Sequence, residues 1–77
     1  MRRIQVMGPG CPACAALKEN AETAVKRLGI EAVVEKVADI DVMLDAGVLM
    51  TPALVIDGEL KSVGKVLSAE EITELLA

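Results

Sequence analysis

The chain has 77 residues, 53% of them apolar but none aromatic, with 8 basic and 12 acidic side chains, no histidine and a net charge of −4. So short a chain has a poor ratio of buried to exposed surface, so one small domain spanning residues 1–77 is expected, with a core of Val, Ile, Leu, Ala and Met. The negative balance and missing rings exclude a nucleic-acid surface, which needs a basic face and stacking platforms, and no stretch nears the roughly 20 apolar residues of a membrane span. Arg2 and Arg3 precede an apolar stretch too short for a signal peptide, so a cytoplasmic monomer without membrane or nucleic-acid partners is expected.

Ile4 and Val6 predict a short strand that ends at the turn Gly8-Pro9-Gly10. From Pro12, a favourable first helical residue, apolar positions recur three and four apart at Cys14, Leu17, Ala21, Ala24, Val25 and Leu28. Gly29 is the natural stop, so an amphipathic helix over 12–28 is predicted. The β-branched run over 30–37 reads as a second strand. A short helix follows, capped by Asp39 or Asp41, with Ile40, Met43 and Leu44 on one apolar face and Gly47 as its stop. Ala53-Leu54-Val55-Ile56 is apolar on both faces, which predicts a strand inside the sheet. Asp57-Gly58 is a strong hairpin signal, and Leu60 and Val63 fit the return strand. Ser68 with Glu71 makes a capping-box pattern ahead of Ile72, Leu75 and Leu76. The order β-α-β-α-β-β-α implies an α/β protein: a strand-helix-strand unit gives a parallel pair and the hairpin an antiparallel one, so the four-stranded sheet is mixed and covered by three helices.

The chain's two cysteines lie in Gly10-Cys11-Pro12-Ala13-Cys14, between the first strand and the first helix. Three residues apart, they can close a disulfide ring, and the positive end of a helix dipole favours a thiolate at the first sulfur. Cys11 is expected to be the exposed attacking thiol and Cys14, a turn further in, the one that resolves the mixed disulfide. Pro12 prefers the helical φ and keeps the sulfurs close, while Ala13 leaves room for a partner. Gly8 and Gly10 can allow close approach of a partner chain or serve only as a turn. A proline belongs at a strand's first residue, which fits Thr51-Pro52, and with a cis bond there the Thr51 backbone could pair with an extended peptide. Met7, Leu49 and Met50 are candidates for a flexible apolar rim around Cys11, with core packing the other reading. The pair also suits a second class, Cu(I) or Zn(II) binding or trafficking, since soft thiolates bind both metals. A closed zinc site would need two further ligands.

Cys11-Pro12-Ala13-Cys14 after a strand, Thr51-Pro52 before a hairpin, and the order of elements together resemble the thioredoxin/glutaredoxin superfamily. The closest likeness is to its very small glutaredoxin-like thioredoxins, the redox-active disulfide proteins, and it covers essentially the whole chain. The resemblance implies a minimal thioredoxin fold and a thiol–disulfide oxidoreductase without a bound cofactor. Cys11 would be the nucleophile, Cys14 the resolving thiol and Pro52 a cis-proline facing them, with Thr51, Gly10, Pro12, Ala13 and Met50 against the substrate. Protein disulfides would be its substrates and a flavoprotein thioredoxin-type reductase its electron donor.

Two departures narrow this. Larger thioredoxins place a buried acid in the strand before the cysteines and a tryptophan directly ahead of them, where this chain has Gln5 and Gly10. Glutaredoxins that use glutathione carry a Gly-Gly and an acidic residue after the hairpin, where this chain has Ser62-Val63-Gly64-Lys65. Lys36 and Lys18 are read as solvated lysines.

Overall fold

The computed structural model describes residues 1–9 and 12–77. Along the chain run β1 (Arg2–Met7), α1 (Pro12–Leu28), β2 (Ala32–Val37), α2 (Ile40–Asp45), β3 (Ala53–Ile56), β4 (Glu59–Val63) and α3 (Ala69–Leu76). The strands form one sheet in the order β2-β1-β3-β4. β1 and β2 are parallel, from Arg2 opposite Ala32 to Met7 opposite Val37, as the α1 crossover requires. β1 and β3 are antiparallel, with Ile4 opposite Ile56 and Met7 opposite Ala53. β3, apolar at every position, is therefore an interior strand, and all four of its residues are buried.

Side chains on a strand alternate between faces, and here the two faces make two cores. Ile4, Val6, Leu54 and Ile56 pack with Leu17, Ala21 and Ala24 of α1 and with Ile72 and Leu76 of α3. On the other face Met7, Ala53 and Val55 pack with Met43 of α2 and with Val48. Two helices thus cover one face, and one short helix covers part of the other.

That short helix departs from expectation. Asp39 is its N-cap, accepting from the N–H groups of Asp41 and Val42 at 2.9 and 3.4 Å. Of the three residues assigned to its apolar face only Met43 is buried; Ile40 and Leu44 are 70% and 58% exposed. The helix has six residues, under two turns, and the sheet beneath offers room for one anchoring side chain. On the edge strand β4, Leu60 and Val63 are also partly exposed. Leu54 faces Ser62 while Val55 faces Leu60, so Lys61 is the extra residue of a β-bulge, which twists an unpaired edge.

The hairpin turn is built as its sequence predicts. Asp57 and Gly58 both have positive φ, +51° and +81°, the conformation of a two-residue type I′ turn. Asp57 is also the junction between chain elements. Its Oδ1 accepts from the Arg3 N–H at 2.9 Å and its Oδ2 from Arg2 Nε, while Arg2 Nη1 donates to the Leu76 carbonyl at the end of α3. The Arg3 N–H and then the Arg2 guanidinium hold the Asp57 carboxyl below its ordinary value. A lowered pKa in the folded state stabilises fully above the unfolded value, and that contribution is lost as pH falls through the folded one. Asp57→Asn is therefore expected to lower the thermal midpoint at neutral pH, with the gap to the natural protein closing once the Asp57 carboxyl is protonated. A gap independent of pH would show that shape rather than charge matters at this corner.

α3 begins with a complete capping box: Glu71 N–H donates to Ser68 Oγ at 3.1 Å, and Ser68 N–H donates to Glu71 Oε1 at 3.2 Å. Asn20 Nδ2 donates to the Leu67 carbonyl at 2.8 Å, tying α1 to the approach of α3. Among the described residues, no helix is long and apolar enough to cross a membrane.

Candidate functional site

Three segments meet at one end of the sheet: the C-terminal end of β1, the first turn of α1 and the residues leading into β3. β1 delivers the chain to Gly8, whose N–H donates to the Val37 carbonyl at the end of β2, at 2.8 Å. α1 starts at Pro12, which is exposed, and continues through Ala13, which is half-buried. Cys14, the third helical residue, is wholly buried and belongs to the α1/α3 core. Cys11 and Gly10, assigned as nucleophile and substrate contact, lie outside the described residues.

Gly8 brings the other predicted residues together. A Cβ placed on Gly8 would fall inside the van der Waals sphere of Cys14 Sγ, 3.5 Å from Cys14 Cβ and 3.6 Å from Thr51 Cβ. Backbone, sulfur and threonine therefore share one contact. The Thr51–Pro52 peptide bond is cis. Thr51 is exposed and Pro52 buried directly before β3, where its missing N–H leaves no ladder bond unmade. The Pro52 carbonyl accepts from the Gly64 N–H at 2.8 Å, which joins this segment to the end of β4.

Met50 lies across Gly64, with its Cε 3.2 Å from where a Cβ of that glycine would stand. Met50 is 63% exposed and its neighbour Leu49 87%, so both offer apolar surface beside the Thr51-Pro52 segment. Met7 does not join them. It is buried under α2, because its parity on β1 points it to the face opposite that of Ile4 and Val6. Of the three residues considered for a rim, two are exposed and one is core.

The remaining residues are placed simply. Gln5 is half-buried on β1, and Lys36 is exposed. Lys18 pairs with Glu22 one turn along α1 at 3.7 Å, an exposed i,i+4 contact of little energetic weight. Among the described residues, no three side chains of His, Cys, Asp or Glu gather where they could hold a metal ion. A cleft of about 610 Å³ between β4 and α3, lined in part by Leu60, Ser62, Leu67 and Leu75, contains none of the predicted site residues.

The sequence offers Gly8 as a turn residue or as a point of close approach for a partner chain, and does not connect it to Cys14. The available signal was a glycine directly after β1, three residues ahead of Cys11, but the contact itself is made only when strand and helix pack.

Comparison with known proteins gives the same picture. Residues 2–77 match the family model of the thioredoxin domain. The chain is 48% identical over 77 residues, the full length of both, to a thioredoxin of Methanothermobacter thermautotrophicus. It is 40% identical over 73 residues to a thioredoxin of Methanocaldococcus jannaschii, covering 95% of this chain and 84% of that one.

Proposed function

The chain belongs to the thioredoxin family, and from that premise we propose that it is a thiol–disulfide oxidoreductase that reduces protein disulfides through Cys11 and Cys14. The observation that carries the reading is the convergence of the Cys14 sulfur, Gly8 and Thr51 beside the cis Thr51–Pro52 bond.

The Cys11 thiolate attacks one sulfur of a substrate disulfide. A bond forms between Cys11 Sγ and that sulfur, the substrate S–S bond breaks, and the departing sulfur carries away the electron pair and takes up a proton. Cys14 Sγ, after losing its proton, then attacks Cys11 Sγ. The Cys11–Cys14 disulfide forms, the mixed disulfide breaks, and the second substrate sulfur leaves with its electron pair and is protonated. Two electrons have passed to the substrate, and the protein's dithiol has become a disulfide. Thr51 presents backbone to an extended substrate segment, Met50 and Leu49 supply apolar surface, and Gly10, Pro12 and Ala13 form the approach to the sulfurs. With Gln5 in place of an acid, the Cys14 proton passes to solvent or another base.

A flavoprotein thioredoxin-type reductase regenerates the dithiol, the protein needs no bound cofactor, and it works as a cytoplasmic reductant. The test incubates the chain with such a reductase, with glutathione and with Cu(I), following thiols and bound metal in each. Turnover with the reductase is expected, together with a potential at the reducing end of the roughly −270 to −120 mV spanned by such dithiols. Stoichiometric copper binding without turnover would overturn the reading.

A further inference from the structure

Resting on the thiol–disulfide reading, we propose that Gly8 is a positioning residue for the exchange step, holding the Cys14 sulfur in place by lacking a side chain. Glycine is usually retained where φ must be positive. Gly29, Gly47, Gly58 and Gly64 have such angles, and Gly8 does not. Its φ therefore sets no bar to alanine. What excludes alanine is space, because the volume a Cβ would fill holds Cys14 Sγ.

The backbone at Gly8 cannot withdraw from the sulfur without cost. Its N–H is bonded to the Val37 carbonyl, and the preceding Met7 is paired with Val37 on one side and Ala53 on the other. Thr51 Cβ borders the same space, 3.6 Å from where the Cβ would stand. The mobile partner is the sulfur, at the end of a side chain with one rotatable bond and three staggered positions. A methyl group at residue 8 would therefore turn Cys14 Sγ out of its seat while the sheet stays as it is.

The seat bears on one step of the reaction only. The first bond is made by Cys11, whereas the second needs the electron pair of Cys14 Sγ in line with the Cys11–substrate bond it breaks. Misplacement by about 1 Å slows such a step by up to about 100-fold. Gly8 thus governs how fast the substrate is released rather than how fast it is attacked.

The test uses reduced protein and a chromogenic aryl disulfide, which frees one coloured thiolate on attack by Cys11 and a second when Cys14 resolves the mixed disulfide. In Gly8→Ala the ratio of the second rate to the first is expected to fall by about 10-fold to 100-fold. An unchanged ratio overturns the proposal, even if stability changes. A natural protein that frees only one equivalent overturns instead the thiol–disulfide reading on which it rests.

Thermal unfolding of the double variant keeps the proposal testable if Gly8→Ala folds poorly. In Cys14→Ala the seat is vacated, so adding Gly8→Ala is expected to lower the midpoint less than it does in the natural chain. Equal losses in both backgrounds overturn the steric argument.

Discussion

Cys11→Ser is expected to abolish disulfide reduction, whereas Cys14→Ala is expected to form a stable mixed disulfide with its substrate and stop there. The asymmetry follows from position. Cys11 immediately precedes α1, and the positive end of a helix dipole favours a thiolate. A serine hydroxyl stays protonated there, and the buried Cys14 cannot replace it because no substrate sulfur reaches a wholly enclosed side chain. Alanine is the better replacement for Cys14, since it adds no polar atom among Leu17, Val6 and the other aliphatic side chains of that core. Mass spectrometry of each variant after incubation with an excess of a peptide disulfide reads the result: no adduct on Cys11→Ser, one peptide on Cys14→Ala. Full turnover by Cys11→Ser would remove Cys11 from the mechanism, and adduct-free turnover by Cys14→Ala would mean that a second substrate thiol performs the release.

Much of the architecture was legible because its signals are local. Pro12 and Gly29 bracket α1, Ser68 and Glu71 are three residues apart and cap α3, and Asp57-Gly58 adopts the type I′ backbone that this dipeptide favours in a two-residue hairpin loop. β3 could be placed inside the sheet because strands apolar on both faces have nowhere else to go. Failures came where an outcome depends on what lies across the gap. Ile40, Met43 and Leu44 have helical spacing, but spacing says only that a face could be buried, and the sheet meets only Met43. For Met7 rim and core were both open, and its strand's parity put it in a second core whose existence depends on where α2 lands.

The site divides along the same line. The identity of Cys11, Cys14 and Pro52 as candidates rests on motif residues and on resemblance, both readable from one chain. The contact of Gly8 with Cys14 and Thr51 joins β1, α1 and the approach to β3, and no spacing rule encodes it. A glycine chosen for volume looks the same in sequence as one chosen for a turn. Only the φ angle and the neighbouring atoms separate them.

Ile72→Ala is expected to be among the most destabilising single changes in the chain, at about 2–5 kcal/mol. Stabilities run at about 0.05–0.15 kcal/mol per residue, so a chain of 77 residues has about 4–12 kcal/mol in all. Ile72, on α3, is wholly buried in the core cluster that it shares with Leu17, Ala21 and Ala24 of α1. The two alanines cannot swing into a vacated space, and no aromatic side chain exists to fill it, so most of the cavity would remain. At about 4–8 °C for each kcal/mol in a domain of this size, the midpoint should fall by roughly 10 °C or more. Leu75→Ala is the matched control: same helix, larger residue exposure, and a much smaller expected shift. Below its own midpoint Ile72→Ala should still form and break the Cys11–Cys14 disulfide at the natural rate, because the close contacts at Gly8 are made by Cys14 and Thr51, with no residue of α3 among them. A rate lowered well below that midpoint would show instead that α3 sets the position of α1, and with it the seat of the Cys14 sulfur.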